Sequence, residues 1–215
     1  MTTSETDETT DDMMQATYCA LCEHGYAEVT MQDIADRTDA SKSSLHYHYD
    51  TKHDLLLAFL DHLYDEFADR FGGGETDEAG EIGETDADPL DRLAGVVDEA
   101  LDEDDAEDRR DFRTAMLEIK AQAPYDEEFR ERLAEFDRHV QESIRGIVSD
   151  GVESGIFRDD ADPEEVAEFF ATVFDGAHTR AISTDEPLSG ARRSLAEFVE
   201  RDLLADGVDR EVDFE

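Results

Sequence analysis

Sixty carboxylate side chains against nineteen lysines and arginines give this 215-residue chain a net charge of −41. At low salt such a charge holds an ordinary chain open, because its acids repel one another over a Debye length of about 10 Å at 0.1 M. The chain can fold only if its apolar residues gather onto faces that leave the acids outside. Apolar residues make up 39% of the chain, and they recur three and four positions apart, the spacing of one helix face. No alternating run long enough for a strand is present, so the expected fold is all-α with about nine helices. The charge is also unevenly composed, with 33 Asp, 27 Glu, 16 Arg and 3 Lys. Abundant carboxylate with scarce lysine matches proteins of organisms that keep molar salt in the cytoplasm, where the Debye length falls to about 3 Å. An acidic partner-binding protein at ordinary salt is the alternative.

Several classes of function are disfavoured at once. Apolar runs are short and broken by charge, which argues against a membrane partner or span. No basic segment followed by an apolar one opens the chain, and two cysteines make no disulfide framework, so a cytoplasmic protein is expected. There is no Gly-x-Ser-x-Gly elbow, dinucleotide fingerprint or His-Glu-x-x-His pair. Chance pairs among 60 acids carry no information, so neither an enzyme nor a cofactor is expected. Cys19 and Cys22 share a helix face with His24 nearby, but a closed zinc site needs four ligands, and Cys22 reads more simply as core. His46, His48 and His53 cannot converge from one short helix and a turn, so no metal is expected.

The chain divides by composition. Residues 1–12 hold five acids and one apolar residue, the initiator Met1, and read as a disordered acidic tail. A helix begins at Met13 and stops near His24-Gly25. Thr30-Met31-Gln32-Asp33 is a capping box opening a second helix, and Thr51-Lys52-His53-Asp54 repeats the pattern before the apolar series Leu55, Leu56, Phe59, Leu60, Leu63 and Phe67. Residues 72–88, with five glycines and seven acids, read as a loop. Asp88-Pro89, Asp162-Pro163 and Pro187 open later helices, and a long helix spans about 126–154. The expected domains are 13–71, then 89–206, with 207–215 as a tail.

The residues after Thr30 have a particular geometry. A capped helix, a three-residue turn Thr38-Asp39-Ala40 and a nine-residue helix Ser41–Tyr49 are the parts of a helix-turn-helix, whose second helix can enter a major groove. That second helix contains no acid, and its donors and small hydroxyls suit phosphates and base edges. Residues 13–71 carry a charge of −7, against −29 for 72–215. Gly25-Tyr26, Val29 to Ala35, Ala40 to Leu45 and Tyr47 to Leu56 together resemble the DNA-binding domain of the TetR family of transcriptional regulators. Two positions depart from the family pattern: Asp39 stands where a turn glycine is usual, and His46 where a tyrosine is.

The resemblance implies a DNA-binding transcriptional regulator, a ligand-responsive repressor that binds a palindromic double-stranded operator as a homodimer. It further implies an N-terminal helix-turn-helix domain followed by a helical ligand-binding and dimerisation domain. Carried over by position, Thr30, Lys42, Ser43, Ser44, His46, Tyr47, His48 and Lys52 would face DNA, while Leu45 and Tyr49 anchor the recognition helix. An effector pocket would draw on Phe112, Met116, Ile119, Phe129, Leu133, Phe136 and Phe174. Phe169, Phe170, Val173, Ala177, Leu195, Phe198 and Val199 would meet a second copy. The small-molecule effector is not named by any of these residues. The alternative function is an acidic helical adaptor or ligand-binding protein of the same fold that does not bind DNA.

Overall fold

The computed structural model describes residues 3–38, 42–71, 87–102, 106–208, 210, 212 and 214, excepting the side chains of 3–9, 42–43, 66–71 and 106–108. Among these residues it has nine α-helices: α1 (Thr3–Glu28), α2 (Met31–Ala35), α3 (Lys42–His48), α4 (Lys52–Phe71), α5 (Pro89–Ala100), α6 (Ala106–Lys120), α7 (Glu127–Glu153), α8 (Pro163–Ser183) and α9 (Ser189–Phe198). A single π-helical turn, Val199–Leu203, continues α9. The one β-type pairing among the described residues is an isolated antiparallel bridge between Phe157 and Leu204. The loop expected over 72–88 lies mostly outside the described residues.

Capping follows the sequence closely. Thr30 and Asp33 form the reciprocal box that starts α2. Thr51 and Asp54 exchange the same bonds before α4. Asp88 and Asp162 cap α5 and α8, each followed by its proline. The first helix differs from expectation: α1 begins at Thr3 rather than Met13. The expected stop at Gly25 is present as a kink, with φ 69° and ψ 170°, a conformation that glycine reaches without a side-chain clash.

Packing divides the chain into two compact units, 1–66 with 105–135 and 67–104 with 136–215. The first unit therefore contains α6 and the start of α7, which sequence reading assigned to the C-terminal domain. Its core joins Met13, Met14, Leu21, Ile34, Leu45, Leu55, Leu56 and Phe59 to Ala115, Ile119 and Phe129. In the second unit, α5, the rest of α7, α8, α9 and the π turn enclose Leu93, Val97, Ile144, Val148, Phe157, Phe170, Leu195 and Leu203. The end of the chain is not a loose tail throughout. Val212 and Phe214 are buried in this second core, and Arg210 pairs with Asp88 at 2.6 Å.

Candidate nucleic-acid interface

The acid-free helix expected over Ser41–Tyr49 is α3, with Asp39, Ala40 and Ser41 outside the described residues. Leu45 is 0% exposed, and Tyr49 packs partly buried against the same core, so one side of α3 is pinned. Burial also pushes the Tyr49 phenol pKa up. The other side presents His46, Tyr47 and His48, all exposed, with Tyr47 at 86%. The Tyr47 and His48 rings meet edge-on at 5.4 Å. Ser44 is half-buried, and the side chains of Lys42 and Ser43 lie outside the described residues. Exposed imidazoles and a phenol can reach phosphate oxygens or base edges without bringing negative charge to the duplex.

Two residues flanking α3 are already engaged within the protein. The Thr30 hydroxyl donates to the Asp33 carboxylate at 2.6 Å, and the Thr30 N–H donates to the same oxygen at 2.9 Å. These bonds hold the Asp33 carboxyl below the usual carboxylate range, so a phosphate approaching Thr30 meets an ionised acid. The Lys52 ammonium donates to the Tyr26 carbonyl at 2.9 Å and lies 4.9 Å from the centre of the Tyr26 ring. Desolvation lowers the Lys52 pKa. Lysine has three N–H donors, so the bond to Tyr26 fixes its head without exhausting it.

Tyr26 is held on its other side as well. Its N–H donates to Glu118 of α6 at 2.6 Å, and its ring meets Phe129 of α7 edge-on at 6.0 Å. Nearby, His53 Nε2 is 2.8 Å from Asp126 and Nδ1 is 3.9 Å from Glu128. Asp126 also accepts the N–H groups of Glu128 and Phe129 at the start of α7. The Phe129 bond is the main reason its carboxyl is held below the usual range. His53, Asp126 and Glu128 offer ligand atoms within 4.8 Å of one another. Asp126 is nevertheless already spent on His53 and the helix start. Sequence reading did not find Glu118–Tyr26 or His53–Asp126, whose partners are 92 and 73 positions apart.

The candidate effector residues fall into two cores. Phe112, Met116, Ile119, Phe129 and Leu133 belong to the first unit's core, whereas Phe136 and Phe174 belong to the second's. A cleft of about 300 Å³ in the first unit is lined by Leu60, Asp61, Tyr64, Asp65, Arg132 and Glu135, none of them among those seven. The candidate dimer residues also divide. Phe170, Leu195 and Val199 are buried within the chain's own core, while Val173, Ala177 and Phe198 are only partly covered. Phe169 is 39% exposed, with its ring 4.6 Å from Phe198. Cys19 is exposed and Cys22 half-buried on α1.

Residues 14–59 match the family model for bacterial regulatory proteins of the tetR family. Residues 89–204, more than half of the chain, match the model for the BetI-type transcriptional repressor C-terminal domain. The chain belongs to the TetR family of transcriptional regulators. Its fold resembles a TetR transcription regulator from Haloarcula marismortui, with 38% identity and a TM-score of 0.75 over 92% of this chain and 99% of that one. It is 24% identical over 169 residues to the HTH-type transcriptional repressor AcnR of Corynebacterium glutamicum, covering 79% of each. It is 23% identical over 162 residues to the repressor KstR2 of Mycobacterium tuberculosis, covering 74% of each. As a TetR-family protein it is a DNA-binding transcriptional regulator, and the relatives named here are transcriptional regulators too. Among the described residues no helix is long and apolar enough to cross a membrane.

Proposed function

We propose that this TetR-family protein is a ligand-responsive repressor that reads a palindromic operator as a homodimer, with α3 in the major groove. The observation that carries the reading is the two-sided character of α3. Leu45 is buried, while His46, Tyr47 and His48 stand exposed on a helix free of acids. In this reading His46, Tyr47 and His48, with Lys42, Ser43 and Ser44, meet bases and backbone, and Thr30 and Lys52 meet flanking phosphates. Residues 13–71 act as the reader, and 89–206 bind the effector and the second copy. Phe169 and its neighbours on α8 and α9 supply the apolar part of the dimer contact. An effector that favours a DNA-incompetent spacing of the two recognition helices weakens operator affinity reciprocally.

The test is a fluorescence-anisotropy titration with duplex DNA from the gene's own upstream region, in 2 M and in 0.5 M KCl. Selective binding by a dimer is expected, and Tyr47→Ala with Lys52→Ala abolishes it while leaving the dimer intact. Unchanged affinity in the double variant would move the reading helix elsewhere.

A further inference from the structure

We propose that Glu118, on α6 and outside the helix-turn-helix, is a positioning residue for operator binding: through Tyr26 it holds the Lys52 ammonium where a phosphate can take it. The inference rests on the reading that Lys52 meets a phosphate.

At Gly25 a φ of 69° breaks the helix, so the next N–H, that of Tyr26, turns away from the helical carbonyl it would otherwise reach. A part-buried donor left without a partner is costly, up to about 1–3 kcal/mol were it fully buried. Glu118 supplies the partner, with its carboxylate 2.6 Å from Tyr26 N. The approach is close, since a Cβ at position 25 would lie 2.9 Å from a Glu118 oxygen. On the far side of the same residue, the Tyr26 carbonyl receives Lys52 at 2.9 Å, and the ring lies under the ammonium. Tyr26 thus has a carboxylate on its N–H and an ammonium on its carbonyl, both charge-assisted bonds that are stronger than neutral ones. Lys52 is the first residue of α4 and keeps N–H donors beyond the one given to Tyr26. Removing the carboxylate frees the turn after Gly25, moves the carbonyl that holds the ammonium, and returns a long flexible side chain to many rotamers. The phosphate contact is then lost although Lys52 itself is unchanged.

The test uses the full-length protein and the same upstream duplex, titrated at several KCl concentrations between 0.5 and 2 M. One phosphate contact contributes about 0.9 to the slope of log K against log salt. K52A is expected to reduce the slope by about that amount. E118A should reduce it equally, with an affinity loss of roughly tenfold, and should add nothing further in the K52A background. E118Q keeps an acceptor for the Tyr26 N–H and should retain the wild-type slope, which separates the hydrogen bond from the charge. E118D withdraws the carboxylate by one methylene without changing charge, and carries the test should the alanine variant fold poorly. The inference is overturned if E118A and E118D keep the wild-type slope. It is equally overturned if E118A weakens the K52A protein as much as it weakens the wild type. A K52A slope equal to wild type would instead remove the phosphate role of Lys52, and the inference with it.

Discussion

Two glycines five positions apart on α7 should respond to the same substitution with opposite sign. A Cβ built on Gly151 would lie 2.0 Å from Phe157 Cδ2, 2.3 Å from Cε2 and 2.8 Å from Cγ, whereas one on Gly146 meets nothing within 4 Å. At Gly146 only the backbone term operates, and Gly→Ala inside a helix stabilises by about 0.5–1 kcal/mol. At Gly151 the same gain is opposed by a collision with a ring that is 1% exposed. Phe157 has little freedom to retreat. Its backbone is bridged to Leu204, and its N–H bonds back to the Gly151 carbonyl at 2.9 Å. Forcing such an overlap costs typically 1–3 kcal/mol, and expelling the ring altogether would cost about 3–5 kcal/mol.

G146A should therefore stabilise by about 0.5–1 kcal/mol, and G151A should destabilise by about 1–2 kcal/mol after its helix gain is subtracted. For a chain of this size 1 kcal/mol corresponds to about 2–4 °C in Tm, so the two variants should melt roughly 3–12 °C apart. The assay is thermal unfolding followed by circular dichroism at 222 nm, in 2 M KCl to keep the acids screened. The clash also couples the two positions. In an F157A background the clash is gone, and G151A should become neutral or stabilising. Equal melting temperatures for G146A and G151A, or a G151A penalty that survives F157A, would refute it.

L45A should lower stability by about 2–5 kcal/mol through the cavity it leaves and should weaken operator binding with it; thermal melts and anisotropy on one sample check both. Y47A should stay within about 0.5 kcal/mol of wild-type stability, because the side chain is 86% exposed, yet lose operator affinity. Replacing Phe169 by Asp should shift the dimer to monomer in light scattering while the helical signal persists; an intact dimer would place the partner elsewhere. Asp126 has a folded pKa below its ordinary 3.8, so its contribution is present above that value and is lost as the pH falls through the lower, folded one. The Tm gap between wild type and D126N should therefore close below about pH 4, as read from melts at stepped pH. Finally, Tm should rise steeply with KCl from 0.1 to 2 M as screening shortens the Debye length from about 10 Å to about 3 Å, and a flat profile would sink the salt-adapted reading.

Much of the fold is legible in the chain because it is written locally. Asp33, Asp54, Asp88 and Asp162 each bond to backbone or hydroxyl groups within three residues, so sequence alone places those four helix starts. Some of the acid load that gives the chain its −41 charge is thus used at helix N-termini, where negative charge is favourable. The two-faced character of α3 is equally local, since Leu45 and His46, Tyr47 and His48 follow from one helical period. The start of α1 is not written in apolar spacing, because residues 3–12 contain no apolar residue.

What the chain does not disclose is which helices share a core. Phe112, Met116, Ile119, Phe129 and Leu133 have the spacing of any buried face, and nothing in that spacing distinguishes a pocket wall from the support of a DNA-reading module. The structure puts all five with Leu45 and Phe59, because α6 packs on α1 and Phe112 stacks with Tyr18 at 4.9 Å. The same packing brings Glu118 to Tyr26 and Asp126 to His53, bonds whose partners lie 92 and 73 residues apart. Each joins a helix of the matched reader segment, residues 14–59, to one of the matched C-terminal segment, residues 89–204. The boundary between those two sequence segments is therefore not a boundary in packing. A substitution on α6 can alter how α4 presents Lys52 without touching the helix-turn-helix, and the comparison of E118A with E118Q measures that influence directly.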